Sequence, residues 1–348
     1  MQMQMSGSGA AYRSRKFRFS CSCFLLLLLS FSALAQTGTW ARQPAGTMAW
    51  LHSVFFINQN KGWAAGSRGT VLQTLDGGNT WKSHGAATSD VVRDIFFIDE
   101  NNGWLVCEVN VYQLKTKDEP RAYLMKTTDG GENWKRIEIK GFDVDAVLVR
   151  AVFGRNGRGW TFGEAGSIYT THDSGDTWTK LHSPTRHLLL GGMFVDDDRG
   201  WLVGAGATII QTSDGGETWY QSMLPQVEKS VRFTATSFVD NRNGWAVGSG
   251  GSVYRTVNGG RSWQRQESTV EVDLFDVKFV DALEGWAVGA EGTIIHTSDG
   301  GQHWTTERSG TQHPLERVFF TNRNRGWAVG FGGTLVAYLR NEVSANNQ

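Results

Sequence analysis

Cysteine is nearly absent from this chain. There are three in 348 residues, and two of them, Cys21 and Cys23, fall in a leader-like segment. Only Cys107 remains elsewhere, which excludes an internal disulfide framework. Proline is as scarce, five residues against 43 glycines, so tight turns must come from Gly, Asn and Asp. Long apolar runs are missing too: the one candidate, residues 24–34, is too short for a spanning helix. It follows Arg13, Arg15, Lys16 and Arg18 and ends in Ala33-Leu34-Ala35, the pattern of a secretory signal peptide over residues 1–35 with Gln36 first in the mature chain. Both leader cysteines precede the apolar run, so no lipoprotein acylation site is expected. Finally, there is no excess charge, with 34 basic and 34 acidic residues. Cleavage would remove four basic and no acidic residues and leave a formal net charge of −4, which speaks against a nucleic-acid partner.

Tryptophan, by contrast, is abundant and periodic. Trp63, Trp104, Trp160, Trp201, Trp245, Trp286 and Trp327 each follow a glycine. Trp81, Trp134, Trp178, Trp219, Trp263 and Trp304 close turns of the form T-x-D-G-G-x-x-W, and Trp40 is a seventh member of that series without the turn. A period near forty residues means a repeated unit that buries its apolar face only by stacking on its neighbours. Each unit reads as four short strands: a Phe-rich run, the Gly-Trp strand, a third after a glycine-rich link, and a fourth starting at the turn Trp. The expected fold is therefore all-β, a seven-bladed β-propeller of four-stranded antiparallel blades over residues 36–340, with 341–348 as a tail.

The spacing also predicts how the ring closes. From turn Trp to the next Gly-Trp glycine is 22 or 25 residues throughout, and from Trp40 to Gly62 it is also 22. Trp40 thus occupies a fourth-strand position with no strands before it, whereas the last unit has strands but no turn. The N-terminal strand is expected to complete the last blade.

The turns at Asp76, Asp129, Asp173, Asp214, Asn258 and Asp299 are Asp-box sequences. Their carboxylates are expected to bond amides of their own hairpins, with the glycines supplying positive φ. Asn258 supports a structural role, because it keeps the acceptor oxygen and loses the charge. His172, His182, His296 and His303 show no metal-ligand spacing, and Cys107 has no sequence-near base, so no metal, cofactor or catalytic residue is expected.

Asp boxes resemble those of sialidases and related exported glycosidases, but the arginine, Tyr-Glu and acid constellation of such a site is not recognisable here. The complete unit F-x-D-x-x-x-G-W-x-V-G…G-x-I-x-x-T-x-D-G-G-x-x-W more closely resembles the photosystem II assembly and stability factors, over about residues 40–338. That resemblance implies an exported, non-enzymatic, protein-binding propeller that holds or hands on membrane-complex intermediates through an arginine-rich face. It places the protein in the periplasm or outside the cell, or in the thylakoid lumen of a photosynthetic host, as a monomer compatible with peripheral membrane association. Open alternatives are a sialidase-like glycan hydrolase and a generic cell-surface binding module.

Two features mark a partner site. Blade two carries a 12-residue insertion within residues 108–122, containing Tyr112, Lys115, Lys117 and Arg121. Loops of this kind carry recognition on repeat scaffolds. In addition, Arg93, Arg150, Arg186, Arg232 and Arg317 lie at or just before the innermost strands and are expected to converge on one funnel, with Asp94 and Glu316 placed to neutralise part of their charge.

Overall fold

Short β-branched and aromatic runs, closed by Asn, Asp and Gly, fold here into consecutive antiparallel hairpins. The computed structural model describes residues 38–85, 88–114, 116, 118–139, 141–154, 156–224 and 231–341; the predicted signal segment, residues 342–348 of the predicted tail, Lys115 and Lys117 lie outside them. Among the described residues there are seven four-stranded sheets. Blade one runs Leu51–Phe56, Gly62–Gly66, Thr70–Thr74 and Lys82–Gly85, and five more blades repeat that order. The seventh takes Leu315–Asn322, Arg325–Gly330 and Leu335–Leu339 from the end of the chain and Thr39–Arg42 from its beginning. Trp40 pairs opposite Tyr338. The protein is a seven-bladed propeller closed by its N-terminal strand.

The core lies between blades. Seven apolar clusters each join residues of adjacent blades. At the centre of each is a Phe gripped by two tryptophans: Phe279 stacks on Trp245 of the preceding blade at 3.5 Å and meets Trp304 of its own blade edge-on at 5.8 Å. The closing junction repeats the arrangement, with Trp286 stacked on Phe320 at 3.9 Å and Trp40 edge-on at 5.7 Å. The two tryptophan series therefore serve one packing unit, combining large area burial with favourable ring geometry.

The Asp turns lock the same junctions. In the first, Thr74 Oγ1 donates to Asp76 at 2.8 Å and accepts from the Gly78 amide at 2.8 Å, while Asp76 accepts from the Thr80 amide at 2.9 Å. Gly77 and Gly78 sit at φ of 72° and 86°, and a side chain on Gly78 would meet Trp327 Nε1 at 2.8 Å. Trp327 Nε1 in turn donates to the Gly77 carbonyl at 3.0 Å, as Trp160 does to Gly215 and Trp245 to Gly300, both at 2.9 Å. Trp104 and Trp286 have buried Nε1 atoms with no such acceptor. Trp104 faces the turn in which Ser174 replaces glycine and Lys126 takes the Ser174 carbonyl at 2.8 Å; Trp286 faces the blade without an Asp turn.

Asn258 reproduces the turn geometry, accepting from Thr256 Oγ1 at 2.9 Å and from the Ser262 amide at 3.0 Å. Charge is thus dispensable for shape and matters for pH. Hydrogen bonds from the Thr80 side chain and from the Asn133 amide hold the Asp76 and Asp129 carboxyls at about 2. Because these folded values lie below the unfolded value of about 3.9, the stability they add is present above pH about 4 and is lost as pH falls through about 2. Asp76→Asn with Asp129→Asn is expected to lower the neutral-pH melting temperature modestly, since the carboxylates' contribution is present there, and to flatten its fall between pH about 4 and 2. Melting curves across that range check this, and an unchanged acid slope would refute it.

Candidate functional site

Strand pairing skips one residue in the first strand of every blade, between Leu51 and Ser53, Val92 and Asp94, Leu148 and Arg150, Leu189 and Gly191, Phe233 and Ala235, Leu274 and Asp276, and Leu315 and Arg317. A bulge re-aims the extra side chain. The skipped residues are His52, Arg93, Val149, Leu190, Thr234, Phe275 and Glu316, each ten residues before a Gly-Trp glycine. All seven line one central cavity of about 270 Å³, joined by Arg150, Arg232 and Arg317. The mouth has two halves. Blades three to six supply Val149, Leu190, Thr234 and Phe275; blades seven, one and two supply Glu316, His52 and Arg93.

Four of the five predicted arginines therefore converge. Arg186 does not: it is exposed ahead of Leu189–Phe194 and is not among the residues lining the mouth, because it sits fourteen residues before its glycine rather than nine to twelve. Each of the four that converge has a carboxylate partner, so the mouth is not the free positive patch that the arginines alone imply. Arg150 reaches across the ring to Asp276 at 3.2 Å, and Arg317 to Asp94 at 3.1 Å. Arg93 pairs with Glu108, and Arg232 with Asp273 at 3.3 Å.

The pairs differ in exposure, and that separates structural from available groups. The Arg150 and Arg317 side chains are 13% and 11% exposed, those of Arg93 and Arg232 40% and 49%. Burial pushes the Asp94 carboxyl up to about 6, against the Arg150 charge and hydrogen bonds from Ser53 and the Ala151 amide. Burial likewise raises Asp276 and Glu316, and burial followed by the Arg93 charge pulls His52 down to about 4, so His52 is neutral at pH 7. Asp94 also accepts from Ser53 Oγ at 2.7 Å and Asp276 from the Val318 amide at 3.0 Å. These two carboxylates pin strands of different blades. Among the described residues Glu316 is the carboxylic acid that lines the mouth itself.

The blade-two insertion lies between Gly103–Glu108 and Ala122–Thr127. Tyr112 is exposed in a short 3-10 turn, Val111–Gln113, whose start is capped by Asn110. Arg121 is engaged, bonding Glu164 at 3.2 Å and the Asp145 carbonyl at 3.1 Å. Cys107 is buried in the strand, its thiol pushed up to about 12 by burial, which makes it a packing residue rather than a nucleophile.

The fold and mouth define a seven-bladed propeller of Asp-turn repeats whose bulged inner strands present a small, mixed polar and apolar opening. Its membership is more specific than that class. The chain belongs to the photosynthesis system II assembly factor YCF48 family, whose model matches residues 32–119, 86–186, 181–268 and 265–339. Among solved structures it is similar to YCF48 from Cyanidioschyzon merolae, at 20% identity over 86% of this chain and 99% of that one with a TM-score of 0.70. A YCF48 bound to a D1 peptide is similar at 21% identity, 87% and 95% coverage and a TM-score of 0.70. The GH74 xyloglucanase from Xanthomonas campestris follows at 12% identity, 89% and 55% coverage and a TM-score of 0.68. At these identities the likeness to solved structures is one of fold. No curated protein sequence matches the chain.

Proposed function

We propose that this protein is an exported, monomeric, non-enzymatic platform that binds an exposed segment of a membrane complex and holds or hands on its assembly intermediate. Its location would be the periplasm or the cell exterior, or the thylakoid lumen in a photosynthetic host. The family supports the assembly role, and the D1 peptide bound by a structural relative supports a protein partner. The observation that carries the reading is the bulge-lined mouth. An extended segment can set an acidic group against Arg93 and Arg232 and an apolar side chain against Val149, Leu190 and Phe275. Tyr112 in the insertion would widen that contact, with Lys115 and Lys117 beside it in sequence.

The test uses the two exposed arginines, since Arg150 and Arg317 compensate buried carboxylates. Tagged mature protein and its Arg93→Glu/Arg232→Glu variant are incubated with detergent-solubilised membranes of the host. Recovery of photosystem II or related membrane-complex subunits by the parent, and their loss from an equally folded variant, is expected. Equal recovery by both proteins would refute the mouth as the contact.

A further inference from the structure

On the opposite face, where the Asp turns lie, the repeat makes a ladder of charges from blade to blade. At several junctions the residue before the Gly-Trp pair reaches a turn of the next blade: Lys61 Nζ to Glu100 at 3.3 Å, Arg158 to Glu217 at 3.0 Å, and Arg325 to the Gly77 carbonyl at 2.6 Å. The same register one blade further brings Arg199 of blade four to blade five. There the equivalent of Glu100 is Asn241 and the equivalent of Glu217 is Arg261. The turn itself carries Asn258 in place of Asp, and Arg242 adds a third guanidinium. All of these residues line one cleft of about 600 Å³, and among the described residues no carboxylate lines it. Asp240, the acid beside Arg242, feels the Arg242 charge but is bonded by the amides of Arg242 and Asn243, both at 2.7 Å, and by the Asn243 side chain, with no direct pair to the guanidinium. Among the described residues none of the three arginines has an ion-pair partner.

We propose that this cleft between blades four and five is a binding site for a phosphate group, held by Arg199, Arg242 and Arg261. Between blades three and four the same register holds the Arg158–Glu217 ion pair, whereas here like charges face one another, an arrangement that an anion between them would stabilise. Three guanidinium forks arriving from three different turns suit a tetrahedral oxyanion, whose acceptors point in all directions, better than a planar carboxylate, which one or two forks saturate. The exposed Tyr220 hydroxyl and the Asn241 amide complete a polar rim. Two sources carry this chemistry: free phosphate, and the phosphodiester headgroup of a membrane lipid, for which the open cleft leaves room. The site is independent of the mouth and of the partner assigned to it.

The test titrates the mature protein by calorimetry with inorganic phosphate and with acetate, and sediments it with phosphatidylcholine vesicles lacking or containing phosphatidylglycerol. Arg261→Glu recreates the Arg158–Glu217 pair one blade on, so it is expected to fold at least as well as the parent. It should weaken binding by at least about tenfold, the factor one lost charge-assisted hydrogen bond supplies. The Arg93→Glu/Arg232→Glu variant should bind as the parent does, which separates this site from the mouth. Binding to free phosphate identifies a soluble ligand; binding only to phosphatidylglycerol vesicles identifies the lipid. Binding of neither, equal affinity for acetate, or affinity unchanged by Arg261→Glu would overturn the assignment.

Discussion

Arg317→Ala is expected to destabilise the propeller by about 1–3 kcal/mol between pH about 7 and 8, because it takes the nearest cation from the buried Asp94 carboxylate, which can then relieve the loss only by taking up a proton. Asp94 cannot escape by rotating, since it also accepts from Ser53 Oγ and from the Ala151 amide at 3.2 Å. Arg93→Ala, which breaks a half-exposed pair in the same mouth, should change stability by no more than about 1 kcal/mol. The contrast has a pH signature. The Asp94 carboxyl is raised from 3.8 to about 6, so its contribution to stability is present below pH about 4 and is lost as pH rises through about 6. Only the ionised carboxylate misses Arg317, and the deficit of Arg317→Ala should therefore shrink as the pH is lowered from about 8 to 5. Urea unfolding of the parent and both variants at the two pH values measures this. A deficit that is the same at both, or equal losses for Arg93→Ala and Arg317→Ala, would show that the cross-ring pair does not hold the inner strands.

The architecture was legible because each junction repeats one set of residues: the Gly-Trp indole, the following Phe and the turn Trp recur in register, and Trp40 betrays the closure by falling at the right distance from Gly62. Asn258 likewise announced that the turns are structural. The mouth was legible only in part. Arg93, Arg150, Arg232 and Arg317 stood out by residue type, whereas Val149, Leu190, Thr234 and Phe275 look like ordinary strand residues and declare themselves only when ten positions are counted back from each Gly-Trp glycine. A bulge breaks the two-residue alternation locally, so strand periodicity points these side chains to the wrong face. Pairing across the ring was out of reach for another reason. Arg150 and Asp276 are 126 residues apart and Arg317 and Asp94 are 223 apart, and nothing local in the sequence encodes which blades face each other once the ring is shut.

The ring should be most vulnerable where it is shut. Trp40→Ala is expected to cost about 3–5 kcal/mol, the range for removing a buried aromatic side chain, and to loosen the whole propeller because one short strand carries the closure. Trp40 packs on Phe320 and Tyr338 and its Nε1 donates to Glu307 at 2.8 Å. Behind it runs a polar chain found where the seventh blade lacks an Asp turn: His296 lies 3.4 Å from Glu307 and 3.2 Å from Glu284, and Glu284 pairs with Arg340. Although burial opposes it, bonding from His296 and Arg340 brings the Glu284 carboxyl down to about 2. Ion pairing has thus replaced the turn as the lock between blades six and seven. Trp50 provides the control, being the one tryptophan outside both series and partly exposed; Trp50→Ala should cost no more than about 1 kcal/mol. Hydrogen exchange of Trp40→Ala should show protection lost first in Leu335–Leu339, the strand that Thr39–Arg42 covers, and then around the ring, since each blade relies on its neighbour for its buried face. Loss confined to that strand, with the other blades as protected as in the parent, would mean that the blades hold their stack without closure.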